Sequence, residues 1–306
     1  MSKRPKCLVY GGSGFLGQTL CRQLIQSGFD VRSVSRSGLP AGQLQPWHHQ
    51  VEWISSILGS EQSVAALDGI DIVYHLASST YPSSSNLNMS FDLASNTQAT
   101  LNILDAAVRL PIKRFVFISS GGTVYGIPQE NPIKENHATN PICSYGIHKL
   151  AIEKYLYLYE HLHGLKSVIL RVSNIYGEAQ DCSKPLGAVA HFTHHALHGD
   201  PIEIWGDGTT TRDYIHVEDV VRALILAADY EGTHPLFNIG SGHGLSLNGL
   251  VDLIKQYATK PVAISYKPSR AFDVRENVLD IQNAWEHLSW KPIYRLDDCL
   301  RRIMQQ

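Results

Sequence analysis

The sequence contains no run of about 18 apolar residues, so nothing in it predicts a membrane-spanning helix. The basic N-terminus offers only residues 7–10 as an apolar stretch, which is too short for the core of a signal peptide. The five cysteines form no CxxC pair and no framework spacing, which indicates reduced thiols. A net charge of −2 leaves no basic surface for nucleic acid. We therefore expect a soluble, cytoplasmic protein with neither a membrane nor a nucleic-acid partner.

Apolar segments and helical segments alternate along the first part of the chain. Strands are predicted at 6–10, 30–35, 51–54, 70–76, 114–119 and 166–172, and helices at 15–27, 96–109 and 145–163. Strands separated by helices of this length form right-handed βαβ units, so we expect an α/β fold with a doubly wound parallel sheet.

The pattern becomes less regular after about residue 176. Strands are predicted at 202–205 and 262–266, and helices at 186–198, 217–230 and 246–258. We predict two domains: residues 1–176, which also receive about 214–243, and a smaller mixed α/β substrate-binding lobe, 177–306. With no internal repeat or low-complexity linker, a cleft should lie between them.

A glycine-rich turn follows the first strand and opens the first helix. Gly11 permits the tight turn, Gly14 lets the backbone approach a pyrophosphate, and Gly17 lets the helix pack closely. A helix N-terminus attracts phosphate, so the turn, including Ser13, Phe15 and Leu16, predicts a dinucleotide site in a Rossmann domain.

Tyr145 and Lys149 are four residues apart on a predicted helix, so they share one face. An ammonium beside a phenol favours the phenolate, and we expect Lys149 to lower the pKa of Tyr145. The pair then suits proton exchange at a carbinol carbon that also exchanges a hydride.

The glycine spacing together with the Tyr-x-x-x-Lys pair resembles the short-chain dehydrogenase/reductase superfamily, and in particular its extended branch, which acts on nucleotide sugars. Further segments match that branch in order: 73–77, 96–102, 119–126, 171–177, 206–219 and 270–274. The resemblance implies cofactor contacts from Leu76, Ala77, Asn96 and Ser119. It implies substrate contacts from Asn174, Arg212, Arg270 and Asp273.

Two residues that are usual in this branch are missing. Gly121 stands where most relatives carry the catalytic Ser or Thr. We expect Thr123, or else Ser120, to supply that hydroxyl. For Ser119 we prefer the explanation that its hydroxyl only satisfies backbone groups at the strand end.

No acidic residue follows the second strand, where NAD-selective relatives bind the ribose 2′-hydroxyl. Ser35 can bond a hydroxyl or a phosphate, and Arg36 can pair with a 2′-phosphate or stack on adenine. The sequence does not decide whether the cofactor is NAD or NADP.

Histidines at 191, 194, 195 and 198 share a helical face, but no acid or cysteine completes a site there, and we predict no metal.

The leading functional hypothesis is a homodimeric nucleotide-sugar 4-epimerase acting on UDP-hexoses, either UDP-glucose and UDP-galactose or their N-acetyl forms. The alternatives are an NADPH-dependent reductase of a 4-keto-6-deoxy nucleotide sugar and a non-catalytic dinucleotide-binding module. The resemblance implies that Asn277 borders the sugar pocket.

Overall fold

The computed structural model describes residues 4–40, 42, 44–182, 187–269 and 274–305. Its strands are β1 Lys6–Tyr10, β2 Asp30–Ser35, β3 Val51–Ser55, β4 Ile72–His75, β5 Arg114–Ser120, β6 Ser167–Val172, β7 Asn174–Tyr176, β8 Ile202–Trp205, β9 Thr211–His216, β10 Leu236–Ile239, β11 Gly244–Ser246, β12 Ile264–Lys267 and β13 Glu276–Asn277. Its α-helices are α1 Phe15–Gln26, α2 Glu61–Ala65, α3 Pro82–Ser85, α4 Met89–Asp92, α5 Ala99–Ala107, α6 Ser144–His163, α7 Ala188–His198, α8 Val217–Ala228, α9 Leu247–Tyr257, α10 Gln282–Leu288 and α11 Leu296–Met304.

The main sheet has seven parallel strands in the order β10-β6-β5-β4-β1-β2-β3. Its strands are apolar runs because both faces are covered by helices. Residues of α1, α8 and α10 fill the core on one face, and residues of α5 and α6 fill the core on the other. The predicted doubly wound sheet is confirmed.

A smaller lobe contains the remaining strands. β9 pairs antiparallel with β11 and parallel with β13 and β7, and β12 pairs with β8. Helices α7, α9 and α11 share its core. Buried Asp213, in β9, accepts hydrogen bonds from Ser173, Ser241 and the Leu279 backbone, which ties the lobe to loops of the main sheet. The boundary at residue 176 stays a prediction.

The predicted single helix at 96–109 is wrong in its first part. A π-helical turn occupies Leu93–Gln98 and continues into α5. The Asn96 side chain donates to the Asp92 backbone oxygen (2.8 Å), the carbonyl that a regular α-helix would direct to the residue's own N–H. Such wide turns often accompany functional sites. No helix in the described ranges is long and apolar enough to span a bilayer.

Candidate active site

The glycine-rich turn between β1 and α1 leaves room for a ligand at the start of the helix. Gly11 has a φ of 90°, in the left-handed region, and its N–H donates to Val34 O (2.8 Å). A Cβ on Gly17 would lie 2.2 Å from Gly11 O, so only glycine fits there. No side chain caps α1. The turn thus fits the phosphates of a dinucleotide, which would take the place of a cap.

A cleft of about 560 Å³ runs from this turn along the carboxyl ends of the main-sheet strands to the smaller lobe. The structure brings eleven predicted site residues to its walls: Gly11, Gly14, Phe15, Leu16, Gly17, Leu76, Ser120, Thr123, Tyr145, Asn174 and Arg212. A volume of this size is typical of a small-molecule site.

Tyr145 and Lys149 lie on the first turns of α6, as predicted. Tyr145 lines the cleft, and Lys149 is 1% exposed beneath it. The Lys149 ammonium donates to Ile118 O (2.8 Å) and lies 5.7 Å from the centroid of the Tyr145 ring. An ammonium held by one carbonyl keeps further N–H groups for a ligand.

The expected effect of Lys149 on Tyr145 is wrong for this chain by itself. Burial raises the pKa of Tyr145 above its usual value, and nearby Cys143, Asp92 and Tyr81 add to the rise. Burial also lowers the pKa of Lys149 to about 7, so its charge is weakened near neutrality. Removing both groups from water outweighs their attraction.

The missing hydroxyl at Gly121 has two candidate replacements at the cleft. Ser120 and Thr123 both line it, and the Thr123 hydroxyl is buried without a hydrogen-bond partner among the described residues. A buried hydroxyl in that state lacks a partner that a ligand can supply. A Cβ on Gly121 would lie 2.6 Å from a Leu279 methyl, so a side chain there would require Leu279 to move.

Ser119 does not line the cleft. It is 2% exposed, and its hydroxyl donates to Glu153. Its hydroxyl is therefore used inside the fold, which corrects its assignment as a cofactor-binding side chain.

The predicted adenosine end is more open. Arg36 is exposed, and the Ser35 hydroxyl donates to Gly38 O (3.0 Å). The hydroxyls of Ser13 and Ser37 are 2.9 Å apart and join the phosphate turn to the residues after β2. The residues around β2 thus carry polar groups that a ribose or a phosphate can reach.

Two further predicted cofactor residues support the turn rather than line the cleft. The Ala77 backbone N lies 3.0 Å from the position that a Cβ on Gly11 would take. Asn96 is 2% exposed, and its side-chain oxygen accepts the Ser79 N–H (2.9 Å). Ala77 thus packs against the glycine-rich turn, and Asn96 joins the loop after β4 to the helical residues that precede α5.

The predicted substrate residues divide into three groups. Asn174 donates to Asp213 O (3.1 Å), Arg212 donates to Val274 O (2.6 Å), and both line the cleft. Asn277 is 1% exposed and donates to Gly121 O (3.1 Å), so its side chain is buried behind the wall rather than in it. Arg270 and Asp273 lie outside the described residues.

The loop after β4 supplies cleft residues that the sequence analysis missed: Ser78, Thr80, Tyr81, Pro82 and Ser83. Gly122, Gly126, Ile142 and Cys143 complete that wall. The loop is rich in serine and has no apolar period, so it gave no signal beyond its place after a main-sheet strand.

One group of metal-ligand type occurs among the described residues, formed by Glu178, His216 and Cys299. Arg302 makes two hydrogen bonds to Glu178 (2.9 and 2.7 Å), and His216 Nε2 lies 3.2 Å from the same carboxylate. The guanidinium already supplies the positive charge that this carboxylate needs, so the group is an ion-pair network between α11 and the start of α8.

The model of the NAD dependent epimerase/dehydratase family matches residues 7–240. A UDP-glucose 4-epimerase from Thermotoga maritima, solved with UDP-glucose, is 34% identical, covers 98% of this chain and 97% of its own, and has a TM-score of 0.91. A UDP-glucose 4-epimerase from Thermus thermophilus, solved with NAD, is 28% identical, covers 98% of each chain and has a TM-score of 0.89. A dTDP-4-dehydro-6-deoxyglucose reductase from Escherichia coli is 32% identical over 99% of this chain and 98% of its own. The fold, the glycine-rich turn, the Tyr145–Lys149 pair and these matches together show that the chain belongs to the NAD dependent epimerase/dehydratase family.

Proposed function

We propose that this chain is a nucleotide-sugar 4-epimerase that interconverts UDP-hexoses. The observation that carries the proposal is one cleft whose walls include the dinucleotide-phosphate turn, Tyr145 on α6, and Asn174 and Arg212 from the strands of the smaller lobe. This order of groups suits a cofactor and a sugar that meet at Tyr145. The likeness to the Thermotoga epimerase, solved with UDP-glucose, supports the substrate class.

The chain's own residues have separable roles in this proposal. Tyr145 removes the proton of the sugar 4-hydroxyl and returns it to the opposite epimer. Lys149 would hold the nicotinamide ribose through the ammonium N–H groups that are not donated to Ile118 O. Thr123 or Ser120 donates a hydrogen bond to the 4-oxygen, and the glycine-rich turn holds the cofactor phosphates. A bound nicotinamide supplies the hydride acceptor and donor, so the reaction needs no net reductant.

The function is tested by incubating the purified protein with UDP-galactose, without added nicotinamide, and separating the products by chromatography. The proposal expects UDP-glucose to form up to an equilibrium that is reached from either sugar. A protein that holds nicotinamide and converts neither sugar would contradict it.

We propose NAD as the cofactor, because the Thermus relative was solved with NAD. Reduction of a 4-keto-6-deoxy nucleotide sugar with NADPH is the second candidate function. The exposed Arg36, the absence of an acid after β2 and the likeness to the Escherichia coli reductase favour it. The nicotinamide that copurifies distinguishes the two: tightly held NAD supports the epimerase, and exchangeable NADPH supports the reductase.

The buried Lys149 beside Tyr145 counts against a non-catalytic module.

The finer substrate choice is also a proposal. Arg212, together with Arg270 and Asp273, would bind the diphosphate and ribose, since guanidinium groups suit phosphates. Asn277 is buried and bonded to Gly121 O, so the choice between a plain hexose and an N-acetylhexosamine does not rest on its side chain. Direct competition between UDP-galactose and UDP-N-acetylgalactosamine for turnover measures this preference.

We propose that the chain forms a homodimer through α6. Ile147, Tyr155, Leu158 and Leu162 lie at helical spacing on one face, and all are exposed. Leu93 is exposed on the neighbouring π-helical turn. An apolar stripe of this kind suits a second copy. A monomeric mass from light scattering at micromolar concentration would contradict the dimer.

A further inference from the structure

The N-terminus of α6, which carries Tyr145, takes its caps from another part of the chain. Its own N-cap residue, Cys143, makes no side-chain cap. Instead, Ser144 N donates to Asn86 Oδ1 (2.8 Å), and Tyr145 N donates to Ser85 Oγ (3.0 Å). Orphan N–H groups at a helix start need such partners, and here residues 85–86 supply them.

Asp92 is the centre of this contact and has no solvent exposure. Its Oδ2 accepts from Ser144 Oγ (2.6 Å) and His148 Nδ1 (2.9 Å). Its Oδ1 accepts from Thr80 Oγ1 and Asn96 Nδ2. Four donors satisfy the buried carboxylate, which would otherwise be costly.

His148 is the residue of the Tyr145–Lys149 motif for which the proposed reaction has no use. It is 2% exposed, and its ring lies edge-on to the Tyr145 ring with centroids 5.0 Å apart. Burial and the neighbouring Lys149 charge lower the pKa of His148 to about 4, so the imidazole is neutral at physiological pH. With Nδ1–H donated to Asp92, the ring has one fixed orientation against the phenol.

The segment that holds α6 also forms a wall of the cleft. Thr80, which bonds Asp92, lines the cleft together with Tyr81, Pro82 and Ser83. Residues 80–92 thus form part of the cleft wall at one end and contact the first turn of α6 through Ser85, Asn86 and Asp92. A shift of this segment would move the Tyr145 phenol relative to a bound sugar.

We propose that Asp92 and His148 are positioning residues that fix the Tyr145 phenol relative to the cleft wall formed by residues 80–83. The inference rests on the proposed function for its kinetic consequence, and on geometry alone for its structural consequence. Neither residue exchanges a proton with the substrate. Their effect is on the orientation of Tyr145, which matters because misplacing a reacting group by about 1 Å can cost on the order of a hundredfold in rate.

The test compares His148→Leu with His148→Asn, whose amide nitrogen can replace Nδ1 as the donor to Asp92. His148→Leu should lower kcat by about tenfold or more with KM within about threefold, and His148→Asn should restore most of kcat. Tyr159→Phe is the matched control, because it removes a hydrogen bond to Asp105 from the far end of the same helix. It should leave kcat and KM unchanged.

Hydrogen–deuterium exchange supplies a second readout that needs no sugar. His148→Leu should speed exchange in 80–92 and at the start of α6, and leave residues 155–163 as in the wild type. Unchanged exchange in both segments would overturn the inference, even if the wild type converted no UDP-sugar and the proposed function failed.

Two kinetic outcomes would also overturn it. One is a His148→Leu enzyme with the kcat of the Tyr159→Phe control. The other is a His148→Asn enzyme that is as slow as His148→Leu, when both variants also lose thermal stability and nicotinamide binding to the same degree as kcat. A purely structural residue would behave in that way.

Discussion

The two ends of the cleft are built in different ways. At the catalytic end, Lys149, Asp92 and His148 are each at most 2% exposed, and every one has a hydrogen-bond partner. At the predicted adenosine end, Arg36 is exposed, and the Ser35 hydroxyl donates to Gly38 O in its own turn.

The difference follows from what each end does in the proposed function. Proton transfer to and from the sugar 4-oxygen requires a phenol held at a fixed position, and a buried hydrogen-bond network fixes that position. Distinguishing NAD from NADP depends on one charged contact at the surface, where a side chain can be exchanged at little cost in stability.

The largest effect is expected at the catalytic end. Tyr145→Phe should keep the fold and the bound nicotinamide and lower turnover by about two to four orders of magnitude, the usual contribution of a positioned acid or base. Steady-state assays on UDP-galactose, with circular dichroism on the same samples, measure both parts. Substantial turnover in a folded variant would remove Tyr145 from the mechanism.

The next largest effect is expected at the buried ion pair that joins α6 to β6, one turn beyond Lys149. Glu153 and Arg171 are 4% and 3% exposed and form an ion pair at 2.6 Å between α6 and β6. Glu153→Leu leaves the guanidinium buried without its carboxylate, so the free energy of unfolding should fall by about 3–5 kcal/mol. The exposed pair of Asp252 with Lys255 is the control: Asp252→Leu should cost about 1 kcal/mol or less. Equal losses in chemical denaturation would contradict the contrast between buried and exposed charges.

Lys149 should lower the stability of the ligand-free protein. Its pKa falls from 10.5 to about 7 on folding, so the unfolded chain binds the extra proton between these values. The loss of folding stability caused by burying the Lys149 charge is therefore greatest below pH 7 and becomes smaller as pH rises toward 10.5. Lys149→Met should melt higher than the wild type, by more at about pH 6 than at about pH 9. A melting-temperature difference that grows with pH would have the wrong sign.

The smallest effect is expected at the adenosine end. If Arg36 pairs with a 2′-phosphate, Arg36→Ala should weaken NADP binding by about tenfold or less and leave NAD binding nearly unchanged. Titration of the protein with each cofactor measures this. Equal losses for both cofactors would leave only stacking on adenine for Arg36.

The sequence predicted the main sheet well, because strands such as β5 are apolar runs buried on both faces. It also predicted the glycine-rich turn and the Tyr145–Lys149 pair, whose spacing is local. It did not predict α3 and α4 in residues 82–92, because that segment is polar and without period. The conformation of that segment is held by the hydrogen bonds of Asp92, whose partners lie up to 56 residues away in the sequence.

Two site predictions failed for a related reason. The pKa of Tyr145 rises rather than falls, because desolvation depends on packing that no local pattern reveals. The Ser119 hydroxyl is bonded to Glu153, on a different element, so its position after a strand did not determine which way it points. In both cases a tertiary contact decided the outcome.

The central claim, epimerisation at C4, is tested most directly with UDP-galactose carrying deuterium at C4. In the proposed reaction the hydride removed from C4 returns to the opposite face of the same carbon. The account therefore predicts UDP-glucose that retains the deuterium at C4, with none appearing in solvent or in added nicotinamide. Product that has lost the label, or labelled sugar recovered unconverted by the folded, cofactor-containing enzyme, would contradict it.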